Sequence, residues 1–433
     1  MSRRFERIAT GWASRTGQAG RLALGLGRAA VRKALSSEDG DGAASDGAAL
    51  LEHMDQMKGL AVKLGQMASY VDGALPDPAQ RALRRLQSDA ATLPYPVVRD
   101  AIVAELGAPP EQVFEAFEPE PFAAASLGQV HRARFDGRDV AVKVQYPGVA
   151  DSIGVDLDNL DRLGLLARLG SGFRTRTVLA ELRARFSDEC DYTLEAANQR
   201  AFREAWAHDP AVVVPEVIAR ASSRRVLTTT LQRGASLYDL VDAPAEARDR
   251  AGETLYRFAF SSIFGRAAFH ADPHPGNYLF GADHVVFLDF GCVRYFPERV
   301  VAHWKAIARA MLAGDRAAFE EAFVDAGFVH GAKFDFDHQF EGMLYLYEPM
   351  RASGRYTFTP EYAKRSWDAL LVGNPNLSKL EMPAEWVFAN RLQWGLNSVL
   401  GTLGATARFG ELFREALDQE VRPLRPALHA PES

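Results

Sequence analysis

Cysteine is nearly absent: Cys190 and Cys292 are the two in a chain of 433 residues. A disulfide framework is excluded at this size, and a reduced, cytoplasmic setting is the expectation. Long apolar runs are missing too. No stretch of about 18 uninterrupted apolar residues occurs, so no single helix is expected to span a bilayer, and the first residues lack the apolar stretch of a signal peptide. Net charge is small. Charged residues make up 24% of the chain yet sum to only -6, an electrostatic balance that announces no nucleic-acid partner.

Residues 1–48 hold a local asymmetry that the total hides. Arg3, Arg4, Arg7, Arg15, Arg21, Arg28, Arg32 and Lys33 stand against Glu6, with Leu22, Leu24, Leu26 and Val31 interleaved. Such a weakly amphipathic basic segment suits peripheral contact with the anionic inner face of the cytoplasmic membrane; a solvated tail is the plain alternative. Ser36 to Gly47 is acidic and glycine-rich, the composition of a flexible linker. Residues 49–96 are expected to be helical. Leu50, Met54, Met57, Ala61, Leu64, Ala68 and Val71 recur at alternating steps of four and three, one apolar seam. Lys63 and Gln66 share a second stripe with Gly59, and Gly65 lies beside it. A glycine inside a helix costs ~1 kcal/mol against alanine, so this pair predicts close approach by another part of the chain; a solvated face is the bland reading. Pro76, Pro78 and Pro94 bracket a second helix, Ala79 to Gln87.

Residues 97–230 read as a small lobe containing β structure. A helix, a break at Gly107-Ala108-Pro109-Pro110 and a short helix are expected through 117. Then comes Ala123-Ala124-Ala125-Ser126, a loop of small residues where a phosphate-cradling loop would carry several glycines and where Gly128 is the one present. Alanine still offers backbone N–H groups to phosphate but resists positive φ, so an altered nucleotide grip is expected. Asp136-Gly137 turns a hairpin whose second strand runs from Asp139 to Gln145. Lys143, in Val140-Ala141-Val142-Lys143, sits where kinase folds keep the lysine that holds the α- and β-phosphates. Val178 to Glu204 reads as one long helix bearing Glu189, Asp191 and Glu195, acids that would otherwise be a solvated face. Val212 to Val214 and Val226 to Thr228 read as strands, and Thr229-Thr230-Leu231-Gln232-Arg233-Gly234 falls at the place of an interlobe hinge, with Thr230 beside the adenine.

The stretch that organises the remainder is Phe269-His270-Ala271-Asp272-Pro273-His274-Pro275-Gly276-Asn277, followed by a hairpin that ends in Asp289-Phe290-Gly291. Tyr278 to Phe280 and Val285 to Leu288 are its strands, with turn chemistry at Gly281-Ala282-Asp283, so Asn277 and Asp289 are expected near each other. Magnesium takes one or two protein oxygens and fills its other positions with phosphate and water. Asn277 and Asp289 supply such a pair for Mg2+ on ATP, and Asp272 stands where a catalytic loop places the group that orients the nucleophile. Asp-Phe-Gly alone carries little information. A zinc site at His270, Asp272 and His274 is a rival, although the prolines 273 and 275 forbid a helix presenting the two histidines together.

Taken in order, Lys63-Leu64-Gly65-Gln66, the alanine-rich loop, Val140 to Val149, Glu189-Cys190-Asp191-Tyr192 with Glu195, and His270 to Asn277 resemble the UbiB/AarF family of atypical kinase-like ATPases over about residues 50 to 400. The resemblance implies an α+β, bilobal protein-kinase-like fold with a small β-containing N-lobe (97–230), a mostly helical C-lobe (231–421) and an added helical element carrying Lys63 and Gln66 (49–96). That element packs over the active site in the family and takes the space a peptide substrate would need. Glu195 would then pair with Lys143, and Glu189 and Asp191 would face Lys63. The family implies ATP hydrolysis linked to ubiquinone, isoprenoid lipids or the enzymes that make them. A nucleotide-binding pseudokinase that chaperones a lipid or an enzyme complex, and a small-molecule kinase, stay open beside the ATPase. In the C-lobe, an amphipathic helix from Ala245 to Phe269 and helices Val300 to Leu312, Arg316 to Val324 and Phe388 to Leu403 are expected. Trp304, Trp394 and Phe413 should be core, and residues 422–433 a loose tail.

Overall fold

The computed structural model describes residues 92–125, 127–149, 188–371, 374–377, 379–381, 383, 386 and 389–426. The basic segment, the helices expected within 49–91, Lys63, Gln66, Ser126 and residues 178–187 lie outside the described residues. The chain divides into two compact units, one comprising residues up to Leu194 together with Val217–Leu231, the other Glu195–Glu216 and Gln232 onward.

The first unit begins with helix α1 (Tyr95–Leu106), which ends where Gly107 adopts a left-handed φ of 76° and donates its N–H to Val103 O. A short turn at Pro110–Val113 follows. Strand β1 (Ala116–Phe117) then replaces the expected continuation of that helix, and β2 (Ala123–Ala124), β3 (Gly128–Phe135), β4 (Arg138–Gln145) and β6 (Val226–Thr230) complete a five-stranded antiparallel sheet. Alternation along β4 buries Val140, Val142 and Val144 in a core shared with Val98 and Ile102 of α1, so Lys143 projects from the opposite face. Thr229 and Thr230 pair with Ala141 and Val140 as the last residues of β6, and the boundary between the two units falls just beyond them, after Leu231, within the stretch expected as the hinge.

A buried polar chain ties Leu93 to this sheet. Leu93 N donates to Gln129 Oε1 at 2.7 Å, Gln129 Nε2 lies 3.0 Å from His131 Nε2, and His131 Nδ1 lies 2.9 Å from Glu118 O. A neutral imidazole, donating from Nδ1 and accepting at Nε2, satisfies every member. Burial accordingly lowers the pKa of His131 from its ordinary 6.5. A depressed folded-state pKa means that the unfolded chain binds the proton first. The stabilisation is therefore present above pH 6.5 and lost as pH falls through the folded-state value, with a slope of at most about 1.4 kcal/mol per pH unit. Thermal melts between pH 7.5 and 5 should show this acid loss, and His131→Asn, which keeps one donor and one acceptor without titrating, should flatten it.

The second unit is built on α3 (Ala245–Arg266), following α2 (Tyr192–Trp206) and β5 (Val212–Val213) in the chain. Helix α2 is not a continuation of one long helix from 178: the described residues break at Asp191, whose carboxylate accepts from Thr193 N and Oγ1. Helix α3 is buried nearly all round rather than amphipathic, with Tyr256, Phe260 and Phe264 inside as well as Leu255, Phe258 and Ile263. It stops at Ala267, left-handed at φ 49°, and the chain enters β7 (Ala268–His270), which the expected helix to Phe269 had covered. Strands β8 (Tyr278–Phe280) and β9 (Val285–Phe287) form the anticipated hairpin, β5 pairs parallel to β9, and β10 (Val293–Tyr295) pairs with β7.

Helices α4 (Glu298–Ala313), α5 (Arg316–Asp325), α6 (Ala389–Leu403) and α7 (Phe409–Leu417) follow. Left-handed Gly314 ends α4, and Asp315 caps α5 by accepting from Ala318 N. Trp304 and Phe413 lie in the core, against Phe264; the side chain of Trp394 lies outside the described residues. The start of the tail is pinned rather than loose, because Arg422 N donates to Gly265 O and Leu424 N to Arg266 O.

Candidate active site

The site of the second unit is assembled from backbone as much as from side chains. Strand β7 delivers His270, whose Nε2 lies 2.7 Å from Asp289 O and 3.1 Å from Leu288 O. His270 thus holds the start of Asp289-Phe290-Gly291 against the loop that carries Asp272. The Pro275–Asn277 turn closes when His274 Nδ1 accepts from Gly276 N. Asn277 Nδ2 then donates at 3.0 Å to both Asp272 O and Asp272 Oδ2, and Leu288 N donates to Asn277 O at 2.8 Å. The hairpin therefore brings Asp272, Asn277 and Asp289 into one hydrogen-bonded cluster. Asp272 is 8% exposed and Asp289 partly exposed. Below the cluster, burial first and the Asp272 carboxylate second push the Tyr278 phenol pKa well above its usual range.

Asp289 adopts a left-handed backbone, φ 57°. Aspartate tolerates that conformation better than most residues, but it still costs of order 1 kcal/mol and persists where surrounding contacts enforce it. The bond from His270 and the acceptance of Gly291 N by Asp289 Oδ1 at 3.2 Å are such contacts. Glu195 joins them from α2, 3% exposed, its Oε2 lying 3.4 Å from the point where a Cβ on Gly291 would stand. A side chain at 291 would meet both carboxylates.

His270 Nε2 and His274 Nδ1 are engaged in backbone contacts, and no group of three or more His, Cys, Asp or Glu suited to a metal exists among the described residues. Asn277 and Asp289 fit magnesium instead. The Asn277 amide nitrogen is turned to Asp272, which leaves its oxygen as the donor, and a hard cation that brings phosphates and water needs no third protein ligand.

In the first unit, Lys143 Nζ lies 4.9 Å from the ring centroid of Tyr192. Ala123 and Ala124 are exposed on β2, and the Ala125 N–H donates to Gly128 O, closing the turn. Gly128 is sterically required, since a Cβ there would stand 2.3 Å from Val144 O. Glu189 is half-buried just before α2, Asp191 caps that helix and pairs with Arg224, and Thr230 ends β6. Two supporting residues escaped the sequence reading. Asn198, mid-helix on α2, donates from Nδ2 to Phe290 O, and Gly395 of α6 abuts Pro273. A glycine within an expected helix was the available signal for the second.

An antiparallel five-stranded sheet bearing a Val-Ala-Val-Lys strand, and a His-x-Asp loop with Asn and Asp-Phe-Gly on one hairpin, define a protein-kinase-like molecule, a class that uses ATP and a metal generally. The chain belongs to the ABC1 atypical kinase-like family, whose domain model matches residues 85–323. It is 31% identical over 366 residues to the zebrafish (Danio rerio) mitochondrial atypical kinase COQ8B, covering 80% of this chain and 58% of that one. To the rat (Rattus norvegicus) COQ8B it is 32% identical, with 80% and 69% covered, and to COQ8 of Saccharomyces cerevisiae 29%, with 84% and 75% covered. The chain thus spans little more than half the length of the zebrafish relative. Among solved structures it resembles Rv3197 of Mycobacterium tuberculosis, determined in complex with erythromycin, with a TM-score of 0.65, 29% identity and coverage of 87% and 94%. Among the described residues no helix is long and apolar enough to cross a membrane.

Proposed function

We propose that this protein binds Mg-ATP and turns it over, by hydrolysis or by phosphoryl transfer to a small acceptor, in support of ubiquinone or isoprenoid-lipid metabolism. The observation that carries this reading is the cluster in which Asn277 bridges to Asp272 and, through Leu288, to the strand leading into Asp289. In this reading Asn277 and Asp289 hold Mg2+ and Asp272 orients the attacking hydroxyl or water. Lys143 binds the α- and β-phosphates with Glu195 as its partner, and the backbone around Ala123 to Ser126 and Thr230 borders the nucleotide. Lys63 and Gln66, with Glu189 and Asp191, restrict the acceptor to something smaller than a peptide. Lipid-pathway chemistry follows from kinship with the COQ8 proteins, and peripheral attachment at the inner face of the cytoplasmic membrane from the basic residues before 34.

A second reading, a nucleotide-binding pseudokinase, is favoured by the alanine-rich loop, where the Ala125 N–H is already used within the turn. One experiment separates the two. Phosphate release and binding of a fluorescent ATP analogue are measured on the full chain, with Mg2+ or with chelator, with and without anionic liposomes. Mg-dependent release, reduced roughly 10²-fold by Lys143→Ala as expected for loss of a charge-stabilising group, supports the enzyme. Binding without release selects the pseudokinase, and neither binding nor release refutes both.

A further inference from the structure

We propose that Asn198 is a positioning residue that fixes the Asp289-Phe290-Gly291 segment to helix α2, and thereby sets how well Asp289 presents its carboxylate to the metal. The proposal rests on the Mg-ATP reading for its consequence and on geometry for its substance. Asn198 is 2% exposed, and both ends of its amide are used. Nδ2 donates to Phe290 O at 3.0 Å, and Oδ1 accepts from the Tyr295 hydroxyl at 2.8 Å. One side chain therefore joins α2 to the backbone just after Asp289 and to the end of β10, which pairs with the strand carrying His270.

The neighbours of Asn198 on α2 grip the same three residues. Glu195, three positions earlier, lies beside Gly291. Phe202, four positions later, packs on the Phe290 ring at 5.2 Å between centroids, and His270 meets that ring edge-on at 5.1 Å. Steps of three and four put Glu195, Asn198 and Phe202 on one face of the helix. The two rings hold the Phe290 side chain, while the peptide between Phe290 and Gly291 is held at its N–H by Asp289 Oδ1 and at its carbonyl by Asn198. Asp289 sits in a left-handed conformation that relaxes unless its surroundings over-determine it, and rotation of the following peptides is the way out. Any such rotation breaks the Asn198–Phe290 bond. An amide is suited to this place because it offers a donor to a carbonyl and an acceptor to a phenol at once. Aspartate at 198 keeps the acceptor and sets a carboxylate against the Phe290 carbonyl.

The test compares wild-type full-length protein with Asn198→Asp and Tyr295→Phe by two measurements. The first is amide hydrogen exchange without nucleotide, read at residues 290–292. The second is the Mg2+ concentration that half-saturates binding of a fluorescent ATP analogue. Losing one buried hydrogen bond predicts, for Asn198→Asp, exchange at the Gly291 amide faster by about tenfold and half-saturation at about tenfold more Mg2+, with affinity at excess Mg2+ within about twofold of wild type. Tyr295→Phe, which removes one oxygen and leaves the Phe290 bond, should move both in the same direction by less, and it carries the test if Asn198→Asp does not fold. Unchanged exchange at 290–292, or acceleration spread evenly through the second unit, overturns the positioning role. A wild-type protein that binds no nucleotide with Mg2+ sinks the Mg-ATP reading instead, while the exchange measurement still decides what Asn198 holds.

Discussion

Asp289→Asn should lower Mg-dependent ATP turnover by roughly 10²–10³-fold, the effect of deleting one preorganised charge-stabilising group, while leaving the melting temperature nearly unchanged. The separation of the two effects follows from what Asp289 does in each respect. Its backbone carbonyl accepts from His270 and one carboxylate oxygen accepts from Gly291 N. Asparagine tolerates the same left-handed φ, keeps an oxygen for the Gly291 amide and has the same size, so the fold retains its contacts. What it loses is the negative charge that, in the proposed Mg-ATP role, would face a divalent cation. Phosphate release as a function of Mg2+ concentration, beside a thermal melt of the same preparation, checks both halves. Wild-type turnover in this variant would remove Asp289 from the metal site, and a large fall in melting temperature would assign it a structural role.

The legible parts of the fold are those where local chemistry and tertiary packing agree. The Tyr278 to Phe287 hairpin, the hairpin carrying Lys143, and helices α4 and α5 each combine clear periodicity with turn or cap residues, and these and α6 all fall within a few residues of their expected bounds. The errors cluster where a boundary has no local marker. Ala267 ends α3 in a left-handed conformation although alanine is the strongest helix former, so nothing in the sequence announces that Ala268 to His270 is a strand. Only its pairing with Val293 to Tyr295, more than twenty positions away, makes it one. Strand β6 runs two residues past its expected end at Thr228, because the branched side chains of Thr229 and Thr230 suit a strand.

In the site, the spacing of Asp272, Asn277 and Asp289 was readable because all three lie on one hairpin and its lead-in loop, where sequence distance is spatial distance. The supports were not. Asn198 looks like any polar residue on an exposed helix face until Phe290, 92 residues on, is seen to present its carbonyl there. The proline-rich start of the tail reads as loose because its two hydrogen bonds to residues 265 and 266 are formed by backbone, which carries no sequence signature.

Gly395→Ala should reduce kcat by as much as about 10²-fold although alanine is the better helix former. On α6 the exchange gains ~1 kcal/mol of helix propensity. Against that, an alanine Cβ would stand 2.2 Å from Pro273 Cγ and 3.1 Å from its Cβ. A proline ring cannot swing aside as a flexible chain end does, so either α6 retreats or the loop bearing Asp272 moves, and overpacking of this kind costs roughly 1–3 kcal/mol. The helix gain offsets only part of that cost, and the larger effect is on function. Pro273 follows Asp272 directly, His274 N donates to Asp272 O at 2.7 Å, and Asn277 is bonded to the same aspartate, so the displacement is passed to the cluster proposed to orient the nucleophile. A misplacement of about 1 Å is worth up to 10²-fold in rate. Gly401→Ala is the matched control. Its Cβ would stand 2.8 Å from Thr359 O, a milder clash on the same helix against Thr359 and Pro360 rather than Pro273, and it should cost stability while sparing kcat. Steady-state kinetics and melts of the two variants decide the matter: equal losses of kcat would mean that α6 acts only through overall stability, whereas a fall confined to Gly395→Ala assigns the helix a direct part in holding Asp272.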